Sequence, residues 1–279
     1  MAELAGRSLV AAWRPVFVAV ALLAAASCGG EAPPQPIHPA LAITAGSLAD
    51  LIEGLDPADA ERVLARQQVF LQLLVDALAE PPELLWLIDK QHALPNDYEP
   101  TDLIGLAGYP LSVNRDNHRL RRIVMPDLLA MAEAARASGR ELLVSSTYRS
   151  YEQQQATYEY WVDRDGQAAA DRYSARPGHS QHQLGTAVDF GSIRLEYGDT
   201  DNGRWVLANA WRFGFSLSYP DGYESLTGYT YEPWHFRYIG RVGTQLEREF
   251  FGGIQQRMLE FLSESRPLLL LSRRSTLER

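Results

Sequence analysis

The stretch Ser180-Gln-His182-Gln-Leu-Gly185-Thr-Ala-Val-Asp189, followed further on by Glu232-Pro-Trp-His235, decides how this 279-residue chain is read. Together the two segments supply two imidazoles, one carboxylate that can bind a cation and one that is spare. A catalytic zinc takes three protein ligands from His, Asp, Glu or Cys and leaves its fourth position to water. His182, Asp189 and His235 meet that requirement. The proton of the attacking water must then go to a group that is not itself a ligand, and Glu232 is the candidate general base. Pro233 argues against a helix interior between Glu232 and His235, so this pair is expected at a turn leading into a strand.

Any one of the six histidines (His38, His92, His118, His179, His182, His235), taken alone, is more often a surface or hydrogen-bonded residue than a ligand. The company of His182 sets it apart. Gly185 permits unusual backbone angles, and Thr-Ala-Val-Asp-Phe then reads as a short buried strand carrying a carboxylate. A buried Asp without a partner is costly, and a nearby cation removes that cost.

Four blocks in order carry a resemblance. Ser180 to Asp189 resembles the Ser-x-His-x-x-Gly-x-Ala-x-Asp signature of the VanY-type zinc D-alanyl-D-alanine carboxypeptidases, and Glu232-Pro-Trp-His235-Phe-Arg-Tyr resembles their second metal motif. Ser146-Thr-Tyr-Arg149-Ser-Tyr-Glu-Gln-Gln154 is similar to their Ser-Gly-Tyr-Arg-Ser-Tyr-x-x-Gln segment, and Leu94-Pro-Asn-Asp-Tyr-Glu-Pro-Thr-Asp-Leu103 resembles the stretch that opens their domain. The likeness covers roughly residues 84 to 242. It implies zinc on His182, Asp189 and His235, Glu232 as base, and Arg149 near the scissile carbonyl, either stabilising the oxyanion or holding the substrate's terminal carboxylate. Without the motif Arg149 would read as a surface ion pair. Ser180 and Gln154 are expected to contact the peptide; Tyr148, placed with them as a substrate contact, reads equally as core or pocket wall, as do Tyr151 and Trp234.

The chain departs from the pattern in places. Thr147 replaces a Gly, Gln181 stands where the family often has Glu, Ser218 stands where Arg commonly precedes Tyr-Pro, and Asp221-Gly-Tyr-Glu replaces a Lys-containing turn. None is a metal ligand. Ser218 and the 221–229 turn are therefore expected to bear on substrate preference.

Arg7 and Arg14 precede an apolar run from Val16 to Ala26, too short for a comfortable membrane span and suited to a secretory leader. Ala25-Ala-Ser27-Cys28 ends it like a lipobox, although Ala25 stands where Leu is more usual. Cys28 is the only cysteine, so no intramolecular disulfide is possible and lipidation explains it better than a free thiol. The expected location is the cell envelope, lipid-anchored, on the periplasmic or extracellular face.

The formal charge is −9; removing Arg7, Arg14 and Glu3 with the leader leaves 24 basic against 34 acidic residues. Such a surface excludes nucleic acid and flat docking on anionic lipid as expected partners. Lys90 is the only lysine. At 46% hydrophobic and 22% charged residues the composition is that of an ordinary globular chain.

Residues 1–28 are read as the leader with Cys28, 29–46 as a Pro-rich tether, 47–83 as a helical appendage, 84–265 as the zinc carboxypeptidase domain and 266–279 as a tail. The appendage reads as a helix pair, with starts at Ser47-Leu-Ala-Asp50 and Asp56-Pro57. Further helices are expected over 122–137, 153–162, 205–212 and 246–263, and strands over 141–146, 187–191, 214–218 and 234–238. Helices and strands do not alternate regularly, which predicts an α+β domain: a small antiparallel sheet flanked by helices, with metal on one face. The resemblance makes this the hedgehog-like zinc peptidase fold. It also implies a peptidoglycan stem peptide as substrate and D-alanine as leaving group. An L,D-carboxypeptidase, an endopeptidase on cross-links, or a non-catalytic wall-binding module retaining structural zinc are the rival readings; oligomeric state is left open.

Overall fold

A computed structural model describes residues 34–277. The expected leader, Cys28 and the first part of the tether lie outside the described residues. Three helices, not two, begin the described fold: α1 (Ala45–Leu51), α2 (Pro57–Ala65) and α3 (Gln67–Ala77). Asp56 caps α2 as its sequence position suggests, its carboxylate accepting from Ala58 N at 3.0 Å. The α2–α3 break falls at Arg66, which carries no sequence signal for it. Tertiary contacts hold Arg66 there: its guanidinium donates to Glu249 Oε2 (2.8 Å) and Glu249 O (2.9 Å) and lies 4.7 Å from the centre of the Phe250 ring.

The chain continues through β1 (Leu103–Gly105), β2 (Ser112–Val113), β3 (Arg119–Arg121), α4 (Met125–Ala137), β4 (Leu143–Ser146), α5 (Tyr151–Asp165), α6 (Gln167–Tyr173) and β5 (Ala187–Phe190). It ends with α7 (Asp201–Asn209), β6 (Phe215–Leu217), α8 (Glu224–Thr227), β7 (His235–Tyr238), α9 (Gly240–Phe250) and α10 (Gln255–Leu277). β1 and β3 pair by themselves, and the other strands form a five-stranded sheet in the order β2-β4-β5-β7-β6. Its pairs are antiparallel except the β2–β4 edge, which is parallel. The α+β architecture expected from the sequence is therefore present, with one parallel edge added.

Register puts chemistry on one face of this sheet and packing on the other. Successive side chains in a strand point to opposite faces. In β5 and β7, Asp189 pairs with His235 and Val188 with Phe236. Val188, Phe190, Phe215, Phe236 and Tyr238 join the buried core, leaving Asp189 and His235 together on the opposite face. A slip of one residue would carry the apolar set out of the core, so the packing face fixes the chemical face.

The same core takes in the amino-terminal helices: Phe70, on α3, stacks edge-on against Phe250 with ring centroids 5.0 Å apart and lies 5.7 Å from Phe261. The single closing helix expected over 246–263 is two, because Gly252 (φ 63°) and Gly253 (φ 75°) turn the chain between α9 and α10. α10 then runs into the expected tail, as far as Leu277. Among the described residues no helix is long and apolar enough to cross a membrane.

Glu247 on α9 is buried, and that burial pushes its carboxyl up to about 8, with the Ser216 hydroxyl and the Arg248 charge offsetting only part. A raised carboxyl favours the folded state fully below the unfolded value of 4.5 and loses that advantage as pH rises through about 8. Glu247→Gln should remove this dependence. In urea titrations the variant is expected to match the parent at pH 4.5 and to be more stable at pH 8, each unit of the difference contributing about 1.4 kcal/mol.

Candidate metal centre and active site

His182 sits in a 3₁₀ turn, Gln181–Leu184, whose entry is capped by Ser180: its hydroxyl accepts from His182 N at 3.3 Å. Gly185 ends the turn with φ 69°, a left-handed conformation that calls for glycine, and a Cβ there would also crowd Leu103 Cδ2 at 2.8 Å. β5 follows at once and delivers Asp189. His235 opens β7 after the expected turn, with His235 N donating to Glu232 O at 3.1 Å.

These segments bring His182, Asp189 and His235 together, buried, with one ligand atom of each within 4.8 Å of the others. Asp189 Oδ2 is 3.3 Å from His182 Nε2 and its Oδ1 is 3.0 Å from His235 Nδ1. The imidazoles meet edge to face, centroids 4.9 Å apart at 86°. His182 Nδ1 donates to the Thr147 carbonyl at 2.7 Å, which leaves Nε2 as the free lone pair toward Asp189. Burial opposes charge on Asp189, yet the two imidazoles hold its carboxyl well below the usual range. Burial also lowers His182, against the pull of the Asp189 charge, which is the direction a metal ligand requires. Two imidazole nitrogens and one carboxylate, buried and converging, are a donor set that fits zinc with a position left open.

Glu232 belongs to this site without sharing the converging contact. Its Oε2 stands 3.8 Å from His235 Nδ1, and burial, then the Asp189 charge, raise its carboxyl well above the ordinary value while Arg149 pulls it down. Arg149 precedes the cap of α5, where Ser150 and Gln153 satisfy each other's backbone donors. Its Nη1 donates to Gln154 Oε1 (2.7 Å) and its Nη2 to Ser146 Oγ (3.1 Å). Arg149 is thus held by neutral acceptors inside a pocket and is not a surface ion pair. Gln154, 1% exposed, gives its other end to the Ala175 carbonyl at 2.6 Å. Although it borders the pocket, its amide is engaged in fixing Arg149, and Ser180 is likewise occupied as a cap.

The pocket has a volume of about 690 Å³, with the metal cluster, Glu232 and Arg149 on one side and Tyr160, Trp161 and Tyr173 on another. Trp234 lines it. Tyr148 does not: it lines an adjoining cavity of about 460 Å³ with Arg115 and Arg119, which meets the first at Arg149. Ser218 is absent from the pocket wall too, and of the 221–229 turn only Tyr229 reaches it. Sequence neighbourhood misled here, because Ser218 lies behind His235, buried, with its hydroxyl on Gln181 Oε1 at 2.7 Å. A stack missed from the sequence backs the site: Lys90 Nζ lies 4.0 Å from the Tyr229 ring centre, Tyr229 is 4.6 Å from Tyr219, and Tyr219 is 5.0 Å from His235.

The sequence profile of VanY, D-alanyl-D-alanine carboxypeptidase, matches residues 117–241. Among solved structures, the LdcB LD-carboxypeptidase superposes with a TM-score of 0.59 at 33% identity, covering 64% of this chain and 87% of that one. The VanB-type vancomycin resistance D,D-pentapeptidase VanY in complex with Zn(II) superposes at 0.54 with 30% identity, over 63% of this chain and 99% of its own. The chain belongs to the VanY family. A D-alanyl-D-alanine carboxypeptidase of Enterococcus faecalis is 33% identical over 165 residues, 56% of this chain and 58% of that protein. Bacillus subtilis YodJ is 36% identical over 179 residues, so the chain spans 66% of YodJ and less of the enterococcal relative. Zinc is the metal of the structural relative, and the buried donor set of this VanY-family chain fits it.

Asp189 is the common neighbour of both imidazoles, so Asp189→Ala should abolish tight metal binding. After dialysis and elemental analysis, the parent is expected to keep about one zinc per chain and the variant almost none; retention of zinc by the variant would contradict the assignment.

Proposed function

We propose that this chain is a zinc-dependent D,D-carboxypeptidase that removes the terminal D-alanine from peptidoglycan stem peptides. The observation that carries the reading is Glu232: a buried carboxylate beside the metal cluster, within the same pocket as Arg149, that a purely structural metal site has no use for. This weighs against the wall-binding module. The substrate class is supported by the relatives, one of which is solved as VanYB in complex with D-Alanine-D-Alanine.

His182, Asp189 and His235 would hold the zinc, whose chemistry there would be Lewis-acid polarisation of the scissile carbonyl and a lowered pKa of the attacking water. Glu232 takes the water's proton on its carboxylate and returns it to the leaving amine. Arg149 carries a permanent positive charge, locked in direction by Gln154 and Ser146, that stabilises the developing oxyanion or anchors the terminal carboxylate. Tyr160 and Trp161 of α5 and Tyr173 of α6 supply an aromatic lining to the pocket in which the peptide would lie. Ser180 and Tyr148 stand at the edges of this arrangement, the first shaping the His182 turn and the second facing the adjoining polar cavity.

The proposal includes export and a lipid anchor on Cys28, supported by the leader, the small residues before Cys28 and its being the only cysteine. Cys28→Ala is expected to move the protein from the detergent phase to the aqueous phase in a Triton X-114 partition of cells expressing it; unchanged partition would remove the anchor from the proposal.

Mass spectrometry of muramyl pentapeptide and tetrapeptide after incubation with the zinc-loaded protein tests the reaction. Loss of one alanine from pentapeptide is expected, reduced at least about 10²-fold in Glu232→Gln. Gln154→Leu should retain zinc and lose roughly ten- to hundred-fold in kcat, less than the outright removal of an oxyanion donor. Cleavage of tetrapeptide alone would move the assignment to the L,D class.

A further inference from the structure

Gln255, the first residue of α10, belongs to no motif and does not line the pocket, yet it is 1% exposed. It closes a ring of three buried side chains with Ser218 and Gln181. Gln255 Nε2 donates to Ser218 Oγ (3.3 Å), Ser218 Oγ donates to Gln181 Oε1 (2.7 Å), and Gln181 Nε2 donates to Gln255 Oε1 (3.1 Å). The direction of this ring is not free. Gln255 Nε2 also faces the Ser216 carbonyl at 3.5 Å, and a carbonyl only accepts, so that end of the amide must be the NH₂ group. Gln255 Oε1 is then turned to Gln181, which must answer with its own NH₂ and keep its oxygen on the far side.

That oxygen is 3.3 Å from His235 Nε2. Asp189 Oδ1 on the Nδ1 side and Gln181 Oε1 on the Nε2 side are both acceptors; with zinc on Nδ1 the one remaining ring proton belongs on Nε2, where Gln181 Oε1 receives it. Were the Gln181 amide reversed, an N–H would face Nε2 and drive the proton onto Nδ1, where it would block the metal. We infer that Gln255 is a positioning residue for the metal centre: through Gln181 it fixes the His235 tautomer that offers Nδ1 to zinc. The inference rests on the zinc reading of the site. Gln181 and Ser218, two separate departures from the family's sequence pattern, are partners in this neutral ring, and the third member comes from the closing helix.

Zinc dissociation constants from chelator competition, together with ¹H–¹⁵N spectra of the His235 imidazole in the zinc-loaded protein, test it. The parent should show a slowly exchanging Nε2–H. Gln255→Leu is expected to weaken zinc binding roughly 10–100-fold, as loss of a group orienting a metal ligand does, and to broaden that signal by exchange. Ser218→Ala opens the ring without touching α10 and should act in the same direction, which decides the matter should Gln255→Leu fail to fold. Gln256→Leu is the control for helix docking. Its amide donates to Asp89 Oδ2 (2.9 Å) and Glu260 Oε1 (2.9 Å), reaches no metal ligand, and should lower the melting temperature with zinc affinity and the Nε2–H unchanged. Parental affinity and an intact Nε2–H in both ring variants would overturn the inference. Absence of zinc binding by the parent would instead strike down the zinc reading beneath it.

Discussion

The antiparallel register that sets Asp189 opposite His235 is the constraint on which the site depends. It is enforced from the other face of the sheet, where Val188, Phe190 and Phe236 can be buried only in that alignment. The 3₁₀ turn and left-handed Gly185 then bring His182 over the same face, and the Thr147 carbonyl orients its ring. The apolar core thus determines the site at one remove, by allowing no other pairing of the strands that carry Asp189 and His235.

What could be read from the sequence was local. His182, Gly185 and Asp189 lie within one turn and one strand, and Glu232 and His235 within one turn, so their residue types and order suffice to pick them out. The burial of β5 and the turn before β7 followed from the same residues. Strands of two or three residues, such as β1, β2 and β3, carry too short an alternation to register. The break at Arg66 depends on Glu249 and Phe250, far along the chain. Adjacency to a motif proved a poor guide to facing: Ser218 precedes Tyr219, which lines the pocket, but itself points behind His235. Gln154 was expected as a peptide contact, while its hydrogen bond to Arg149 showed only in three dimensions.

The amino-terminal helices and α10 have a clearer place in this picture than composition suggested. Phe70, Phe250, Phe251 and Phe261 join them into the core that also supports the sheet. The two-glycine turn at Gly252-Gly253 aims the start of α10 at the underside of the metal site. There Gln255 reaches the ring behind His235 and Gln256 reaches Asp89, whose backbone oxygen accepts from His179 Nδ1 at 2.7 Å. Segments outside the recognisable motifs therefore pack beneath the site, and of these two glutamines only Gln255 reaches a partner of a metal ligand.

The central claim is that His182, Asp189 and His235 hold a catalytic zinc and leave Glu232 free. X-ray absorption at the zinc edge on the metal-loaded protein tests it most directly. The account predicts two imidazoles and two oxygen ligands, at about 2.0–2.2 Å, with one of the oxygens exchangeable water and the spectrum unchanged in Glu232→Gln. A spectrum that changes on that substitution would make Glu232 a ligand and the site a closed, structural one.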